Sequence, residues 1–336
     1  MAELKTTVVI PGFMGSALRD ARSLKPLWDP IRIFTTDLRR LRLSDSTYQI
    51  GACGPLWPVY HRLLRTLRRR GHQPLFFAYD WRLPSEKTTE LFAEFVRARL
   101  GSNPFNVIAH SMGGLIAARW LADGGVNRFA SRQGGRIVCI ALPAGGVERA
   151  AGALIEGYSP LAFFNIRANR KLVQSLAPQL PPLFEMLPRL EGIFSPGAWP
   201  AGLQLPAENL SDAEAASRRI DAGLAALAET GRMGKAATIS STGDETRSWR
   251  MEGGKVLPGG AGPGDGWILI QRSILEGVPA FLFRRSLVDI LSLGPLAALC
   301  LVPGSHPLLP MYCRVRRAAL EFIEEGMVRS LQQRVE

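Results

Sequence analysis

A serine between small residues stands where a predicted strand meets a predicted helix. The sequence around it is Ala109-His110-Ser111-Met112-Gly113. A nucleophilic serine on such a sharp turn needs small residues two positions before and after it, because the backbone crowds itself there. The alternative is that Ser111 only caps a helix, but a capping serine requires neither the flanking glycine nor a buried strand before it. We therefore predict that Ser111 is a nucleophile for acyl transfer.

A serine nucleophile needs a base, and the base needs a carboxylate that orients it. On folds that present the serine on such a turn, the acid and then the histidine follow it along the chain. His306 is the one histidine downstream of Ser111, since His61 and His72 lie upstream and His110 lies inside the turn. Position and elimination therefore predict that His306 is the base.

Two aspartates compete for the role of the acid. Asp265 lies in a loop with glycine on both sides, and Asp244 follows a predicted strand. Aspartate beside glycine is also common in ordinary turns. Position alone leaves both candidates open.

An acyl-transfer site also requires two backbone N–H groups that face the developing oxyanion. Met112, directly after the serine, is predicted to supply one, and Phe13 in the glycine-rich loop after the first strand is predicted to supply the other. Gly12 and Gly15 are also typical of a tight turn. The loop can form such a turn and still supply the N–H of Phe13.

The first part of the chain alternates between strand and helix signals. Strands are predicted at 7–10, 74–79, 105–109 and 136–142, and helices at 56–70, 84–100 and 112–121, with Ser85 as a candidate N-cap. Such alternation predicts a mostly parallel sheet that is covered by helices on both faces.

The alternation of strand and helix signals stops at residue 147. We predict an α/β core over 1–146 and 236–336 and an inserted cap or lid over 147–235, which is rich in Pro, Leu, Phe and Trp. In the second core segment we expect strands at 236–241 and 296–302, a glycine-rich loop at 253–266 and a closing helix at 312–331. The apolar cap residues would either form an acyl pocket or interfacial surface, or simply pack the cap onto the sheet: Phe163, Phe164, Phe184, Leu187 and Trp199.

Composition limits the classes of function. The chain has 336 residues and a formal charge of +12, which favours anionic partners and is compatible with peripheral contact with an anionic membrane. The basic residues are scattered and not interleaved with aromatics, so nucleic-acid binding is not predicted. The four cysteines show neither a zinc spacing nor a disulfide framework. The N-terminus lacks a signal-peptide pattern, and the sequence therefore predicts a cytoplasmic protein.

Several segments throughout the chain resemble one family. They are the first strand and its glycine loop at 8–16, the sequence Tyr79-Asp80-Trp81-Arg82, the serine turn at 109–114, the segments 142–146 and 182–188, and Thr242-Gly243 followed by Gly264-Asp265-Gly266. Together they resemble the lecithin:cholesterol acyltransferase-like branch of the α/β hydrolases. The Tyr-Asp-Trp-Arg sequence is the most specific of these matches.

The resemblance implies an α/β-hydrolase fold and ester acyl transfer from a lipid-like donor to water or an alcohol. It implies that Asp265 is the acid, and that neither a metal nor an organic cofactor takes part. The sequence departs from the family at Ala109, where glycine is usual, and at Trp267, where threonine is common. Two alternatives stay open: an esterase for small esters, and a non-catalytic binding protein that keeps the fold.

Overall fold

A computed structural model of the chain describes residues 5–29, 37–43, 49–129, 135–157, 170–203, 205–293 and 305–334. Its strands are β1 (Lys5–Ile10), β2 (Ser16–Asp20), β3 (Pro26–Trp28), β4 (Ile50–Pro55), β5 (His72–Phe76), β6 (Asn106–His110), β7 (Ile137–Ile140), β8 (Ala236–Ser241), β9 (Asp244–Glu252), β10 (Lys255–Gly264), β11 (Ala280–Phe283) and β12 (Gln332–Gln333). Its α-helices are α1 (Trp57–Arg69), α2 (Ser85–Leu100), α3 (Met112–Ala122), α4 (Glu148–Glu156), α5 (Arg170–Leu176), α6 (Pro181–Glu185), α7 (Ala207–Arg232), α8 (Ile270–Ser273), α9 (Leu287–Leu291) and α10 (Cys313–Glu325).

The central sheet has seven strands among the described residues, in the order β12-β11-β8-β7-β6-β1-β5. Neighbouring strands run parallel, except that β12 lies antiparallel to β11. A three-stranded sheet, β3-β2-β4, and the hairpin β9-β10 lie outside it. The predicted mostly parallel sheet with flanking helices is therefore confirmed.

Alternating side chains of the parallel strands enter two separate cores. Val8 and Ile10 of β1 pack on the side of α2, α3 and α7, whereas Val9 packs on the side of α1 and α10. Fully burying an aliphatic side chain of this size stabilises the fold by about 1.5–3 kcal/mol. Because both faces are covered, the central strands β6, β7 and β8 are buried along their whole length, as expected for a parallel sheet.

The strand order changes direction at β1, which lies between β5 and β6. The register pairs Ile10 with Ala109. The glycine loop after β1 and the serine turn after β6 therefore leave the sheet side by side. Ligand sites in open α/β sheets form at such points, at the carboxyl ends of the strands.

Three expectations for the second core segment differ from the structure or fall outside it. The predicted glycine-rich loop at 253–266 is instead mostly hairpin β9-β10, because Gly253 and Gly254 take positive φ angles (57° and 73°) and form its turn. Strand β11 was not predicted, and the predicted strand at 296–302 lies outside the described residues. The closing helix ends earlier than predicted, at Gly326 with φ 80°.

The described part of the predicted cap consists mainly of helices. Phe184, Leu187 and Trp199 are buried in the larger core, as expected if they pack the cap onto the sheet, while Phe163 and Phe164 lie outside the described residues. Helix α7 packs closely on α3, since a Cβ at Gly223 would lie 2.7 Å from the Ala118 carbonyl carbon. The division into core and inserted cap stays a prediction.

Candidate active site

Ser111 lies on the sharp turn that the sequence predicts. Its φ and ψ are 52° and −124°, a sparsely populated conformation for a residue with a side chain. Ser111 N donates to Ile140 O over 2.8 Å, which ties the turn to β7. A Cβ at Gly113 would lie 2.6 Å from the carbonyl oxygens of Ile10 and Pro11, so this position requires glycine. Ser111 occupies the N-cap position of α3, but its side chain makes no capping hydrogen bond, which argues against capping as its role.

His306 lies between Ser111 and Asp265. Its Nε2 is 2.8 Å from Ser111 Oγ, and its Nδ1 is 2.7 Å from Asp265 Oδ2. All three side chains are at most 5% exposed. A carboxylate only accepts, so Nδ1 carries the proton and Nε2 is left as the acceptor of the serine hydroxyl. This arrangement allows the serine proton to pass to Nε2 as the oxygen attacks an electrophile.

Both carboxylate oxygens of Asp265 are hydrogen-bonded, one to its own loop and the other to His306. Oδ1 accepts hydrogen bonds from Trp267 N (2.9 Å) and Ile268 N (2.8 Å), which leaves Oδ2 for His306. His306 N also donates to Asp265 O over 3.1 Å. Asp265 and His306 are therefore aligned by backbone as well as side-chain contacts.

Asp244, the competing aspartate, contacts neither His306 nor Ser111. Its Oδ1 pairs with Arg285 Nη2 (2.8 Å), and its Oδ2 accepts from Ser305 N (2.8 Å). It therefore supports the backbone just before His306. Of the two candidates that position left open, the structure brings Asp265 to the histidine.

The glycine loop with Phe13 is held by the Tyr79–Arg82 segment. Tyr79 Oη donates to Pro11 O (2.7 Å), and Trp81 Nε1 donates to Ser16 O (3.2 Å). The Trp81 ring meets the Phe13 ring edge-on at 5.0 Å. The most specific sequence match thus forms the support of the predicted oxyanion loop.

Asp80 and Arg82 of the same segment form a buried ion pair. Arg82 Nη2 lies 2.6 Å from Asp80 Oδ2, and Arg82 Nη1 donates to Leu41 O over 3.2 Å. Because both charges are paired and bonded, the pair can remain buried. It stabilises the segment that carries Tyr79 and Trp81.

The predicted oxyanion donors flank the serine turn. Met112 begins helix α3, where N–H groups have no partner within the helix, and Phe13 lies in the adjacent loop. In the described part of the chain, no protein acceptor takes a hydrogen bond from either backbone N–H. Both donors are therefore free to bind an oxyanion.

Several residues around His306 carry no sequence signal that would assign them a role. The Trp267 ring stacks on the His306 ring, and its carbonyl accepts from Glu148 N over 3.0 Å. Glu148 is buried, which raises its pKa, while its ion pair with Arg272 at 2.5 Å opposes that shift. The signal available in the sequence was only that an indole replaces the usual threonine after the acid.

His110, inside the turn, is kept neutral. Its pKa is lowered to about 3, chiefly because burial disfavours the imidazolium and also because His306 lies close. This supports its exclusion as the base.

Comparisons with known proteins agree with the fold and with the family resemblance. Residues 45–215 match the family model of lecithin:cholesterol acyltransferase. An alignment over 134 residues, which covers 34% of this chain, shows 29% identity to the uncharacterized protein YJR098C of Saccharomyces cerevisiae. This chain spans about one fifth (20%) of the length of that relative.

Two solved structures align with this chain at low identity. A chain of the Tle4–Tli4 complex aligns with a TM-score of 0.52 and 11% identity, over 74% of this chain and 78% of that one. The metagenomic carboxyl esterase MGS0156 aligns with a TM-score of 0.46 and 12% identity, over 97% of this chain and 77% of that one. The protein has the predicted α/β-hydrolase fold. Because the family match covers just over half of the 336 residues, the chain belongs to the lecithin:cholesterol acyltransferase family.

Proposed function

We propose that the protein is a serine-dependent acyl ester hydrolase or O-acyltransferase that acts on lipid-like carboxylic esters. The observation that carries the proposal is the position of His306, whose Nε2 lies 2.8 Å from Ser111 Oγ and whose Nδ1 lies 2.7 Å from Asp265 Oδ2. Membership of the family supports the lipid-like donor. No metal and no organic cofactor enters the proposed reaction.

The first half of the reaction forms an acyl-serine. His306 Nε2 takes the hydroxyl proton while Ser111 Oγ bonds to the ester carbonyl carbon. The N–H groups of Phe13 and Met112 stabilise the resulting oxyanion. When the C–O bond of the ester breaks, the imidazolium returns the proton to the leaving alcohol, and Asp265 stabilises the transient positive charge.

The second half transfers the acyl group. Water or an acceptor alcohol gives its proton to His306 Nε2 and attacks the acyl carbon, and the oxyanion binds the same two N–H groups. Collapse of the intermediate returns the proton to Ser111 Oγ. Water yields a carboxylic acid and an alcohol yields a new ester.

Labelling with a fluorophosphonate probe tests the proposal, because the probe reacts only with an activated serine. We expect labelling of the wild type, none in Ser111→Ala or His306→Ala, and strongly slowed labelling in Asp265→Asn. Asp244→Asn is the matched control. Ester turnover that persists unchanged in Ser111→Ala would refute the mechanism, and a folded wild type that never labels would favour the binding-protein alternative.

The substrate class is tested separately. A series of p-nitrophenyl esters of increasing acyl length distinguishes a lipid enzyme from an esterase for small esters. A rate that rises with acyl length supports the lipid-like donor, and a preference for acetate would favour the small-ester alternative.

We infer that helix α9 makes the contact with an anionic membrane. Leu287, Val288 and Leu291 are 69%, 76% and 66% exposed, whereas Asp289 of the same helix is buried and pairs with Arg314. Ser286 and Asp289 form a capping box at its start. Three large aliphatic side chains on a fixed helix are an unusual surface for a protein in water.

The surroundings of α9 are basic. Arg284 is exposed, Arg314 lies 3.4 Å from Asp289, and Arg62 donates to Ser292 O and Leu293 O. Aliphatic side chains bordered by arginines match an anionic lipid surface. The apolar part of the membrane takes up the aliphatic side chains, and the anionic head groups attract the arginines. None of the helices in the described residues is long and apolar enough to cross a membrane.

Sedimentation with vesicles tests this surface. We expect binding to phosphatidylcholine vesicles that contain phosphatidylglycerol, weaker binding to phosphatidylcholine alone, and loss of binding in the triple variant Leu287→Ser, Val288→Ser, Leu291→Ser. Leu24→Ser, which removes a comparably exposed side chain (59%) from the turn between β2 and β3, is the control. Equal binding by the triple variant and the wild type would overturn the assignment to α9.

A further inference from the structure

A line of hydrogen bonds joins the predicted oxyanion loop to the backbone of the predicted base. Gly12 N donates to Tyr60 Oη over 2.9 Å. Tyr60 Oη lies 2.8 Å from His110 Nδ1, and His110 Nε2 lies 3.1 Å from His306 O. All of these groups are buried. The line therefore runs from the loop after β1, through Tyr60 and His110, to the backbone of His306.

Donors and acceptors along this line allow one arrangement of protons. A carbonyl oxygen only accepts, so His110 Nε2 carries the proton, and in a neutral imidazole Nδ1 is then the acceptor. The Tyr60 hydroxyl must donate to that nitrogen, which leaves its oxygen to accept from Gly12 N. Every hydrogen bond points from the oxyanion loop towards His306, and the neutral state of His110 satisfies all of them.

The line continues to the acid. His306 N donates to Asp265 O over 3.1 Å, while His306 O accepts from His110. The backbone of the base is thus restrained on both sides of its Cα. These two restraints set where its imidazole meets the serine hydroxyl.

Two glycines allow the predicted oxyanion loop to pack closely against Ser111, His110 and Tyr60. A Cβ at Gly12 would lie 2.9 Å from Ser111 Cβ and 3.2 Å from His110 Nδ1. A Cβ at Gly15 would lie 2.7 Å from Tyr60 Oη. The glycines of the loop are therefore required for more than a tight turn, since any side chain would push the loop away from the serine and from Tyr60.

We propose that Tyr60 and His110 are positioning residues that hold the oxyanion loop and His306 at the spacing which acyl transfer requires. Neither touches the reacting atoms. They act through Gly12, which precedes the predicted donor Phe13, and through the His306 backbone. This inference rests on the proposed function of Ser111.

Four variants remove the line in parts. Tyr60→Phe removes the hydroxyl and leaves Gly12 N without its acceptor. His110→Gln places an amide nitrogen near the position of Nε2 and can keep the bond to His306 O. His110→Asn places its amide near the position of Nδ1 and can keep the bond to Tyr60. His110→Leu removes both of these hydrogen bonds. His72→Gln is the control, because His72 is also a buried histidine with hydrogen bonds at both ring nitrogens, to Thr7 and Glu324, but it contacts none of these residues.

The first measurement is the fluorophosphonate labelling rate of each folded variant, divided into probe affinity and maximal rate constant. Misplacement of reacting groups by a fraction of an ångström lowers the rate constant by about tenfold to a hundredfold. We expect that loss in Tyr60→Phe and His110→Leu with affinity unchanged, and partial rescue in His110→Gln. The control should label as the wild type does. Wild-type rate constants in Tyr60→Phe and His110→Leu would overturn the proposal.

The second measurement does not depend on activity. The chain has four histidines, so labelling with [15N]histidine yields a spectrum simple enough to identify each ring tautomer. We expect His110 as the neutral Nε2–H form and His306 as the Nδ1–H form with a downfield proton resonance. That resonance should shift in Tyr60→Phe and stay in place in His72→Gln.

The two readouts separate the two hypotheses. A wild type that never labels but shows these tautomers would remove the proposed function and keep the hydrogen-bond line. A His110 that is protonated at Nδ1, or a His306 resonance that Tyr60→Phe leaves unmoved, would overturn the positioning role whether or not Ser111 labels.

Discussion

The indole of Trp267 stacks on the imidazole of His306, with ring centroids 4.7 Å apart and planes inclined by 20°. The Trp267 backbone is fixed at both ends, since its N–H donates to Asp265 Oδ1 and its carbonyl accepts from Glu148 N. One face of the His306 ring is therefore covered by an indole whose position is set by the Asp265 loop. An aromatic face would also stabilise the imidazolium that the proposed acyl transfer forms.

Trp267→Ala should slow acylation of Ser111. Loss of a cation–π contact of about 0.5–2 kcal/mol lowers a rate by roughly twofold to thirtyfold. Trp267→Phe keeps an aromatic face and should retain most of the rate. The check is the maximal labelling rate constant; equal rates in the Ala variant and the wild type would show that the stacked ring only fills space.

Asp265→Asn and Asp244→Asn should differ sharply in their rates of acylation. The first loses the carboxylate that orients His306, and we expect its acylation rate to fall by about 10³–10⁴. The second weakens the contacts to Arg285 and Ser305, so it should lower the melting temperature and slow acylation less than tenfold. Labelling kinetics and thermal melts on the same samples separate the two effects, and a larger rate loss in Asp244→Asn would contradict the geometry.

Chain order made the candidate catalytic groups predictable, whereas the residues that support them were not predictable. Ser111 and His306 follow from local pattern and elimination, and Asp265 was favoured only through the family resemblance. Tyr60 lies 50 residues from His110, and helical periodicity shows only that it faces the core. The hairpin that precedes Asp265 was hidden because Gly and Pro are uncommon in strands, so local composition predicted a loop where tertiary pairing forms β10.

Acid should destabilise the fold through His110. Its pKa is about 3 in the folded chain against an ordinary 6.5, so the unfolded chain binds a proton that the folded chain does not. The stability from neutral His110 is therefore complete above pH ~6.5 and is lost as the pH falls towards ~3. We expect the free energy of unfolding to fall less steeply between pH 7 and 4.5 in His110→Gln than in the wild type. Parallel slopes in denaturant titrations would contradict this.

Gly113→Ala should disturb the serine turn. The new Cβ would lie 2.6 Å from two backbone oxygens, Ile10 O and Pro11 O, and backbone on both sides leaves little room to relax. Overpacking of this kind costs about 1–3 kcal/mol, and it moves the serine and the oxyanion loop apart. Gly51→Ala is the control, since nothing lies within 4 Å of its Cβ position. The check is the melting temperature together with the labelling rate, and both should drop only in Gly113→Ala.

Glu185 fastens α6, within the predicted cap, to the start of α2. Both of its carboxylate oxygens accept from Ser85 N (3.1 and 2.9 Å), and Ser85 Oγ accepts from Arg119 Nη1 (2.6 Å). Ser85 was predicted to cap α2 itself; it is instead the first residue of the helix, and the buried Glu185 carboxylate takes the place of the cap.

Glu185→Ala should therefore loosen this contact. The buried Ser85 N–H loses its acceptor, which costs about 1–3 kcal/mol, and Arg119 loses a nearby negative charge. Glu185→Gln keeps one amide oxygen for Ser85 N and should retain most of the stability. Hydrogen exchange at the amides of 85–88 and 183–186 is the direct check, with faster exchange expected at both segments in Glu185→Ala. Faster exchange in only one segment would show that the two are not joined through this carboxylate.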